Sequence, residues 1–392
     1  PAERNLLRYA AFVSFFPTLL SGPIQRARDL LPQLLSGADE GAAFESPFES
    51  PFEFQLSGFL LLLWGLFGRL VISARLSAVT SEVFTHTADY TGMYCLCAML
   101  LMSLYIYVDF ASYSDIAIGC ARMLGYQIGA NFRTPFLALS LKEFWNRWHI
   151  SLNDWFIENV YIPLGGSRGG KLRKYRNILL VFLLSGAWHG SSWNFVLWGG
   201  LNGIAMIAEE QLASLFGRRD RAERRASPSC EMRASRSRLP DEHAARSNAL
   251  RAGRAKADAG PPAAACAVRW LRRLLVFLTV SVNFVFFGSA SVRSALFLLR
   301  RILSIRLADI TGFMPTGLFG WDARAMRETA AALLLFLLVQ YLRHKEGWLF
   351  RRFCRLPLPL RGLLPAMLLA ATVFAACAGS VQTNAAFLYY RF

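Results

Sequence analysis

The 392-residue chain is 54% hydrophobic and 14% aromatic but only 18% charged, with a formal net charge of +17. No Asp, Glu, Lys or Arg occurs at positions 90–108, 177–208, 274–292 or 362–390. A bilayer core of roughly 30 Å is crossed by about 20 apolar helical residues, so each run is long enough to span it. The sequence thus argues against a soluble fold and predicts an all-α, multi-pass transmembrane protein with roughly five to seven crossings.

Three shorter uncharged runs, at 9–25, 54–68 and 329–342, are predicted to form tilted spans, re-entrant segments or interfacial helices. The first is broken by Pro17 and by Gly22-Pro23, which argues against a signal peptide. The chain begins at Pro1 rather than Met, and we interpret it as a fragment of a longer protein. A short duplication at 45–53 is interpreted as a loop insertion without assigned chemistry.

The segment 105–203 concentrates ionisable groups among apolar residues, where charges are costly and are usually kept for a function or a specific pairing. Its first candidates are Asp109 and Asp115. Six helical residues turn through about 600°, so the two carboxylates do not share a face and make a poor catalytic pair. Each is instead predicted to form a structural ion pair with a nearby arginine: Arg122, Arg133 or Arg147.

Positions 141–156 are predicted to form one helix at the membrane surface, because Trp145, Trp148 and Leu152 recur at helical spacing. His149 lies four residues from both Trp145 and Asn153, which places it toward the aromatic side of that helix. Two roles stay open for His149. It is either a hydrogen-bonded histidine within an aromatic cluster or a catalytic residue.

A glycine-rich basic loop follows, with Arg168, Lys171, Arg173, Lys174 and Arg176. It is predicted either to contact anionic phosphates, of lipids or of an acyl donor, or to form a plain cytoplasmic turn.

His189 is the strongest candidate for a functional side chain. It lies twelve residues beyond Asn177, which on a helix is about 18 Å into a core roughly 30 Å thick. An imidazole at that depth is neither a good lipid-facing group nor a convenient structural one. Gly186 and Gly190 allow another backbone or a substrate to approach it closely. These features favour a functional over a structural histidine.

Much of the positive charge lies in one stretch. Between Arg218 and Arg273 there are fifteen Lys and Arg against six Asp and Glu, about half of the net charge. Because 218–267 is rich in Ala, Ser, Gly and Pro, we predict a disordered Arg-rich loop there, on the cytoplasmic side. The basic run lacks aromatic residues for base stacking, so nucleic acid is not an expected partner. Transmembrane helices are predicted on either side, within 1–217 and 268–392.

The seven cysteines show neither a disulfide framework nor zinc-ligand spacing. They are predicted to be small buried apolar side chains. No metal site and no bound cofactor is expected.

Several sequence segments occur together in a combination typical of one family: Phe15-Phe16-Pro17 with Ser21-Gly22-Pro23-Ile24, Asp109-Phe110 with Tyr113-Ser114-Asp115, positions 143–152 and 161–166, and Trp188-His189-Gly190. In these segments the chain resembles the MBOAT (membrane-bound O-acyltransferase) family. The likeness is closest to the bacterial branch that acetylates alginate and related exopolysaccharides, with teichoic-acid D-alanylation proteins as relatives. Positions 386–392 also look like the C-terminus of that branch.

The resemblance implies an MBOAT-like fold, in which re-entrant or interfacial helices surround a central funnel. It also implies that family members carry further transmembrane helices ahead of Phe15. His189 matches the essential histidine of the family, and His149 matches its second, less strictly required one. The implied setting is the bacterial inner membrane, with membrane lipids, acetyl-CoA as donor, a periplasmic SGNH-type acetyltransferase and the polysaccharide synthesis machinery as partners.

Acyl transfer at such a site depends on moving a proton. An acetyl thioester is already activated, so the slow part is delivering an oxygen nucleophile whose proton leaves as the new bond forms. The ordinary pKa of histidine, about 6.5, leaves it mostly neutral at pH 7 and suits it to act as general base. Trp188, Trp193 and Asn194 are predicted to orient the acyl group or the imidazole. Asn153 or Ser185 is predicted to donate a hydrogen bond to the developing oxyanion, and Arg147 to contact the substrate.

Other functions remain open at this point. A transporter or flippase of a lipid-linked or acyl substrate would also carry intramembrane Asp and His residues and broken helices. Such transporters usually contain an internal repeat, and none is visible between the two halves. D-alanyl transfer to teichoic acid and a non-catalytic scaffold for an acetylation complex are the remaining alternatives.

Overall fold

The computed structural model describes residues 4–19, 21–40, 50–226, 263–313, 323–343 and 352–378. Within these ranges the chain forms helices and turns without a β-strand, which confirms the predicted all-α class. Most of the duplication at 45–53 and the segment 386–392 lie outside the described residues.

The helices follow one another in three parts of the chain. The N-terminal part contains α1 (Leu6–Val13), a 3₁₀ turn (Phe16–Thr18), α2 (Ala27–Glu40), α3 (Pro51–Phe67), a π-helical turn (Gly68–Ser73), α4 (Ala74–Thr85) and α5 (Gly92–Met123). The central part contains α6 (Leu141–Trp145), α7 (Ile150–Phe156), a π-helical turn (Ile157–Tyr161), α8 (Lys171–His189) and α9 (Trp193–Ala226). The last part contains α10 (Ala263–Gly288), α11 (Val292–Leu303), α12 (Leu307–Thr311), α13 (Ala323–Arg343) and α14 (Leu358–Ala378).

In the described part of the chain, four helical segments are long and apolar enough to cross a membrane: Pro51–Thr85, Gly92–Met123, Cys266–Gly288 and Ala323–Arg343. Two of them contain most of the uncharged runs at 90–108 and 274–292, as expected. The expected span in 177–208 is instead a helical hairpin, because the chain leaves the helix at Gly190 and re-enters one at Trp193. Roughly five to seven crossings are predicted from run lengths, and four helical segments of the described residues meet the requirements of length and composition.

Helices α3 and α5 cross closely through small residues. A Cβ added at Gly65 would lie 2.6 Å from the Ser112 carbonyl oxygen, and one at Gly58 would lie 2.7 Å from that of Gly119. Between apolar helices, such close backbone approach supplies the packing contacts that hold the pair together. These glycines therefore set the position of α5.

The two aspartates of α5 form buried ion pairs, but with arginines other than those predicted. Asp109 accepts hydrogen bonds from Arg69 and, at 2.6 Å, from Ser73. Asp115 accepts two from Arg343, at 2.7 and 2.9 Å. The prediction was correct in kind, because each carboxylate is structural, and wrong in the partners, because helix packing brings distant arginines to α5.

Helices α8 and α9 form an antiparallel hairpin. A Cβ at Gly199 would lie 2.1 Å from the Phe182 carbonyl oxygen, and one at Gly186 would lie 2.2 Å from that of Phe195. Near the open end, Lys174 Nζ lies 2.5 Å from Glu210 Oε2. The prediction that Gly186 admits a close neighbour is confirmed, and that neighbour is the returning helix.

The predicted loop 218–267 includes residues that are helical in the structure. Helix α9 continues to Ala226 and α10 begins at Ala263, so both ends of that range are helical. Alanine, arginine and glutamate, which dominate 218–226, are strong helix formers and extend α9. The remainder, 227–262, lies outside the described residues.

Replacing Arg343 tests the buried pair that anchors α13 on α5. Arg343→Leu is expected to lower the free energy of unfolding by ~3–5 kcal/mol, because the Asp115 carboxylate loses its bidentate cation. Adding Asp115→Leu should restore most of this loss, since an apolar pair replaces a buried ion pair at little cost. Reversible unfolding of the purified chain in mixed detergent micelles measures both effects.

The matched control is Arg324→Leu, on the same helix. Arg324 pairs at 2.8 Å with Glu328, and both side chains are largely exposed, so its removal should change stability by less than about 1 kcal/mol. Equal destabilisation by the two substitutions would show that the Asp115 pair does not anchor α13.

Candidate active site

A cavity of about 310 Å³ lies between α7, α8, α9 and α10 and is lined by both candidate histidines. His149 and His189 are 5% and 8% exposed, so each is enclosed by the fold. Ser185, one turn before His189 on α8, also lines the cavity. The remaining walls are mainly apolar and aromatic, from residues such as Ile106, Val181, Phe182, Trp198, Phe284 and Phe287.

His149 lies at a sharp corner rather than within a helix. The chain leaves α6 at Trp145 and starts α7 at Ile150, and His149 between them has a left-handed backbone with φ +46° and ψ +51°. Histidine is one of the few residues other than glycine that adopts this conformation with some frequency. The predicted continuous helix over 141–156 is therefore wrong, and the break turns the His149 ring into the cavity.

Asn153 holds this corner in place. Its side-chain amide donates to the Trp145 carbonyl oxygen and, at 2.6 Å, to that of Trp148. These carbonyls lie at and beyond the end of α6, where helical partners are lacking. Both amide hydrogens are thus used, so Asn153 lines the cavity without a donor for the predicted oxyanion contact.

A second hydrogen-bonded residue supports the same corner from behind. The Asn131 carbonyl oxygen accepts from the Ile150 amide at 3.0 Å, and its side-chain oxygen accepts from the Ser151 hydroxyl at 2.6 Å. The His149 ring packs edge-on against Phe110, with ring centres 4.6 Å apart. His149 therefore lies in an aromatic cluster and also lines the cavity, and both of its roles stay predictions.

His189 ends α8 at the tip of the hairpin. Its ring lies 5.2 Å from that of Trp198 and 5.3 Å from that of Phe287, both nearly perpendicular to it. Trp188 contacts both histidines, with ring centres 4.9 Å from His189 and 6.4 Å from His149. The structure therefore brings the two histidines to the same cavity although forty positions separate them.

The opposite end of the cavity is charged. Lys142, Lys174 and Glu210 line it there, with Lys174 paired to Glu210. Among the residues that the structure describes, Lys142 has no carboxylate within 4 Å. Tyr161 and Ser167 line the same end and approach to 2.9 Å through their hydroxyl oxygens. A ligand could therefore place an anionic part at this end and a small reactive group beside the histidines.

Four of the predicted substrate contacts do not line the cavity. One is Trp188, which contacts both histidine rings but is itself 56% exposed. Trp193 is 77% exposed, and Asn194 donates to the Ser289 carbonyl oxygen at 2.6 Å, tying the hairpin to the end of α10. Arg147 pairs with Glu143 on the preceding turn. Trp193 and Asn194 lie close to His189 in the sequence, but they begin a new helix. For this reason they do not line the cavity with His189.

Several cavity residues escaped prediction. Lys142 and Glu210 have the sequence signal of ordinary surface charges, and Phe284 and Phe287 that of core residues of a span. Lys174 belongs to the basic loop, for which contact with anionic phosphates is one of the two predicted roles. A pair of buried asparagines was also missed: Asn283 donates to the Asn202 side-chain oxygen at 3.0 Å and joins α10 to α9. Asparagines within long apolar runs were the available signal, since amides at membrane depth need partners.

The family model described as MBOAT, membrane-bound O-acyltransferase family, matches residues 3–228, a range that contains both histidines. The chain is 38% identical over 212 residues to "Probable alginate O-acetylase AlgI" of Azotobacter vinelandii, covering 54% of this chain and 40% of that protein. It is 36% identical over 202 residues to "Peptidoglycan O-acetyltransferase" of Helicobacter pylori, covering 52% and 37%.

A third relative is "Teichoic acid D-alanyltransferase" of Bacillus subtilis, 30% identical over 211 residues, covering 51% of each chain. The chain thus spans about half or less of the length of these curated relatives.

Asn153→Asp tests the corner that positions His149. The substitution keeps the shape of the side chain but turns an oxygen toward each carbonyl, so the free energy of unfolding should fall by ~1–3 kcal/mol. Hydrogen–deuterium exchange should quicken at the amides of 146–153, because the corner loses both hydrogen bonds.

Asn159→Asp is the matched control. The Asn159 amide also donates to a carbonyl, that of Trp155 at 2.9 Å, but at an exposed position. It should leave stability and exchange at the corner nearly unchanged, and a corner insensitive to Asn153→Asp would refute the positioning role.

Proposed function

We propose, from the premise that this chain belongs to the membrane-bound O-acyltransferase family, that it transfers an acyl group from a thioester to a hydroxyl acceptor at His189. The observation that carries the proposal is the single cavity that joins two buried histidines to a charged end. Such a shape suits a donor with a polar carrier and a small acyl group. The proposed reaction is O-acetylation of an exopolysaccharide or another cell-envelope glycan.

In the proposed step, His189 acts as general base. Its imidazole accepts the proton of the acceptor hydroxyl as the oxygen attacks the thioester carbonyl. The C–O bond forms, the C–S bond breaks, and the departing thiolate takes up the proton held by His189. Enclosure by Trp198 and Phe287 limits access of water, which would otherwise compete as the nucleophile.

His149 is proposed to assist rather than to replace His189. It lines the same cavity, and Trp188 contacts both rings, so its position suits binding of the thioester or of the developing oxyanion. The hydroxyl of Ser185 also lines the cavity and is a second candidate for binding the developing oxyanion. The left-handed backbone of His149 is consistent with a residue placed for function, since strained conformations are enriched at active sites.

Acetyl-CoA is the proposed donor, entering from the cytoplasm. Lys142 and Lys174 at the charged end could pair with its phosphates, leaving the thioester to reach the histidines. The neighbouring basic residues, from Arg168 to Arg176, support a cytoplasmic placement of that end through the positive-inside tendency. The corresponding location is the bacterial inner membrane.

The names of the relatives support a polysaccharide acceptor. Alginate and peptidoglycan are glycans in the names of two of them, and both names denote acetyl transfer. We propose that a periplasmic SGNH-type acetyltransferase, together with the polysaccharide synthesis machinery, completes delivery of the acetyl group. D-alanyl transfer to teichoic acid is the second candidate, favoured by the relative named for that reaction.

Substituting His189 tests the proposal. The full chain in proteoliposomes is supplied with labelled acetyl-CoA or a D-alanyl thioester, and label on the glycan acceptor is measured. His189→Gln should lower transfer by about 10²–10⁴-fold, the usual contribution of a general base. His149→Gln should lower it less. The donor that is consumed distinguishes acetyl from D-alanyl transfer.

His86→Gln is the matched control, because His86 is exposed, lies outside the cavity and pairs with Glu82 at 3.1 Å. Its transfer rate should equal that of the unaltered chain. If His189→Gln transfers the acyl group at the full rate at equal membrane abundance, the proposed acyl transfer at His189 is wrong. Donor-independent solute flux that survives His189→Gln would instead identify a transporter.

A further inference from the structure

A second cavity, of about 490 Å³, lies behind the His149 corner and plays no part in the proposed reaction. It is bounded by the start of α2, the segment following α5 and the start of α7. Its polar lining residues include Gln25, Arg26, Asp29, Gln127, Arg133 and Asp154. The acyl-transfer cavity is mostly apolar, so this second cavity suits a different class of ligand.

Hydrogen bonds between its walls make the second cavity a built site. Gln33 of α2 donates to the Gln127 carbonyl oxygen at 3.0 Å and accepts from the Gln127 amide at 2.8 Å. The Ile24 amide donates to the Ser151 hydroxyl at 2.9 Å. These bonds join all three walls without using the charged groups of the lining.

The charged groups are of both signs. Arg26 uses its Nε on Glu158 at 2.8 Å, while its Nη2 is buried without a hydrogen-bond partner in the described part of the chain. Neither Arg133 nor Asp154 has an oppositely charged side chain within 4 Å among the described residues. A buried donor without a partner is costly, so a ligand acceptor near Arg26 would be stabilising.

The position of the cavity points to the membrane surface. Residues 127–130 follow within seven positions of Met123, where the span α5 ends. Helix α1, which contacts α2, exposes large apolar side chains such as Leu6 and Leu7. Polar groups at the end of a span beside an exposed apolar helix match the level of lipid headgroups.

We infer that this cavity, between Arg26, Arg133 and Asp154, binds a phosphate that carries a neighbouring primary amine, as in a phosphatidylethanolamine headgroup. Guanidinium groups pair with phosphate oxygens. The carboxylates of Asp29 and Asp154 would repel a bare phosphate but pair with an ammonium group. A primary ammonium donates hydrogen bonds to them, whereas a quaternary choline cannot.

Occupancy would bear on the His149 corner. Ile150 and Ser151 line this cavity, and His149 next to them lines the acyl-transfer cavity. A headgroup in the second cavity would therefore hold the start of α7 from behind. The binding claim itself is independent of the proposed reaction, because it is read out without turnover.

Lipid titration with native mass spectrometry tests the inference on the purified full chain in detergent. The probes are dioctanoyl phosphatidylethanolamine, phosphatidylglycerol and phosphatidylcholine. The unaltered chain should prefer phosphatidylethanolamine by about tenfold, the factor for one charged hydrogen bond. Arg133→Gln should weaken all three by about tenfold. Asp154→Asn should reduce the preference, because only Asp29 then pairs with the ammonium group, and it should not weaken phosphatidylglycerol binding.

Arg293→Gln is the matched control, an exposed arginine on α11 outside the cavity. It should retain the preference of the unaltered chain. Equal phosphatidylethanolamine binding by Arg133→Gln, Asp154→Asn and Arg293→Gln would overturn the site. Arg133 and Asp154 are exposed, so their variants are expected to fold, and equal melting temperatures would confirm this.

Soluble competitors separate a lipid from a free ligand. Phosphoethanolamine should displace the lipid only at far higher concentration, because it lacks acyl chains. If phosphoethanolamine binds as tightly as the lipid, the site still recognises a phosphate with a neighbouring amine, but its ligand is a soluble molecule. Displacement by inorganic phosphate as effective as that by phosphoethanolamine would overturn the role of the amine.

Discussion

Polar groups buried between apolar helices have no water to bind, so each must find its partner within the protein. This constraint shapes the molecule at each level. Asp109 and Asp115 fix α5 to other helices through arginines. Asn153 satisfies carbonyls at the α6–α7 corner, and Asn194 fixes the hairpin tip to α10. The candidate active site is the place where these fixed elements leave two histidines facing one cavity.

The hairpin of α8 and α9 supplies the second half of that arrangement. Its glycines leave no room for a Cβ, so the backbones of the two helices pack directly against each other. The turn after His189 therefore ends α8 beside α9 and α10, and Trp198 and Phe287 enclose the imidazole. Rigid packing of this kind places a reactive group accurately, which catalysis requires.

The sequence predicted what depends on local composition. Uncharged runs located the spans in α5 and α10, and the helical spacing from Asn177 to His189 gave an uninterrupted helix. Partners far apart in the chain could not be assigned, because Asp115 and Arg343 meet only after α13 packs on α5. The break at His149 was hidden because Trp145, Trp148 and Leu152 keep helical spacing across it. Asn153 holds that break. On an unbroken helix it lies one turn from His149, and for that reason it is predicted to contact the substrate.

The proposed function rests on entry of the thioester from the Lys142 and Lys174 end of the cavity and on its approach to His189. A structure of the full chain with an unreactive thioether analogue of acetyl-CoA tests this step. Phosphates are expected beside Lys142 and Lys174, with the acyl end within hydrogen-bond reach of His189, directly or through one water. An analogue bound elsewhere, with this cavity unchanged, would contradict the proposed function.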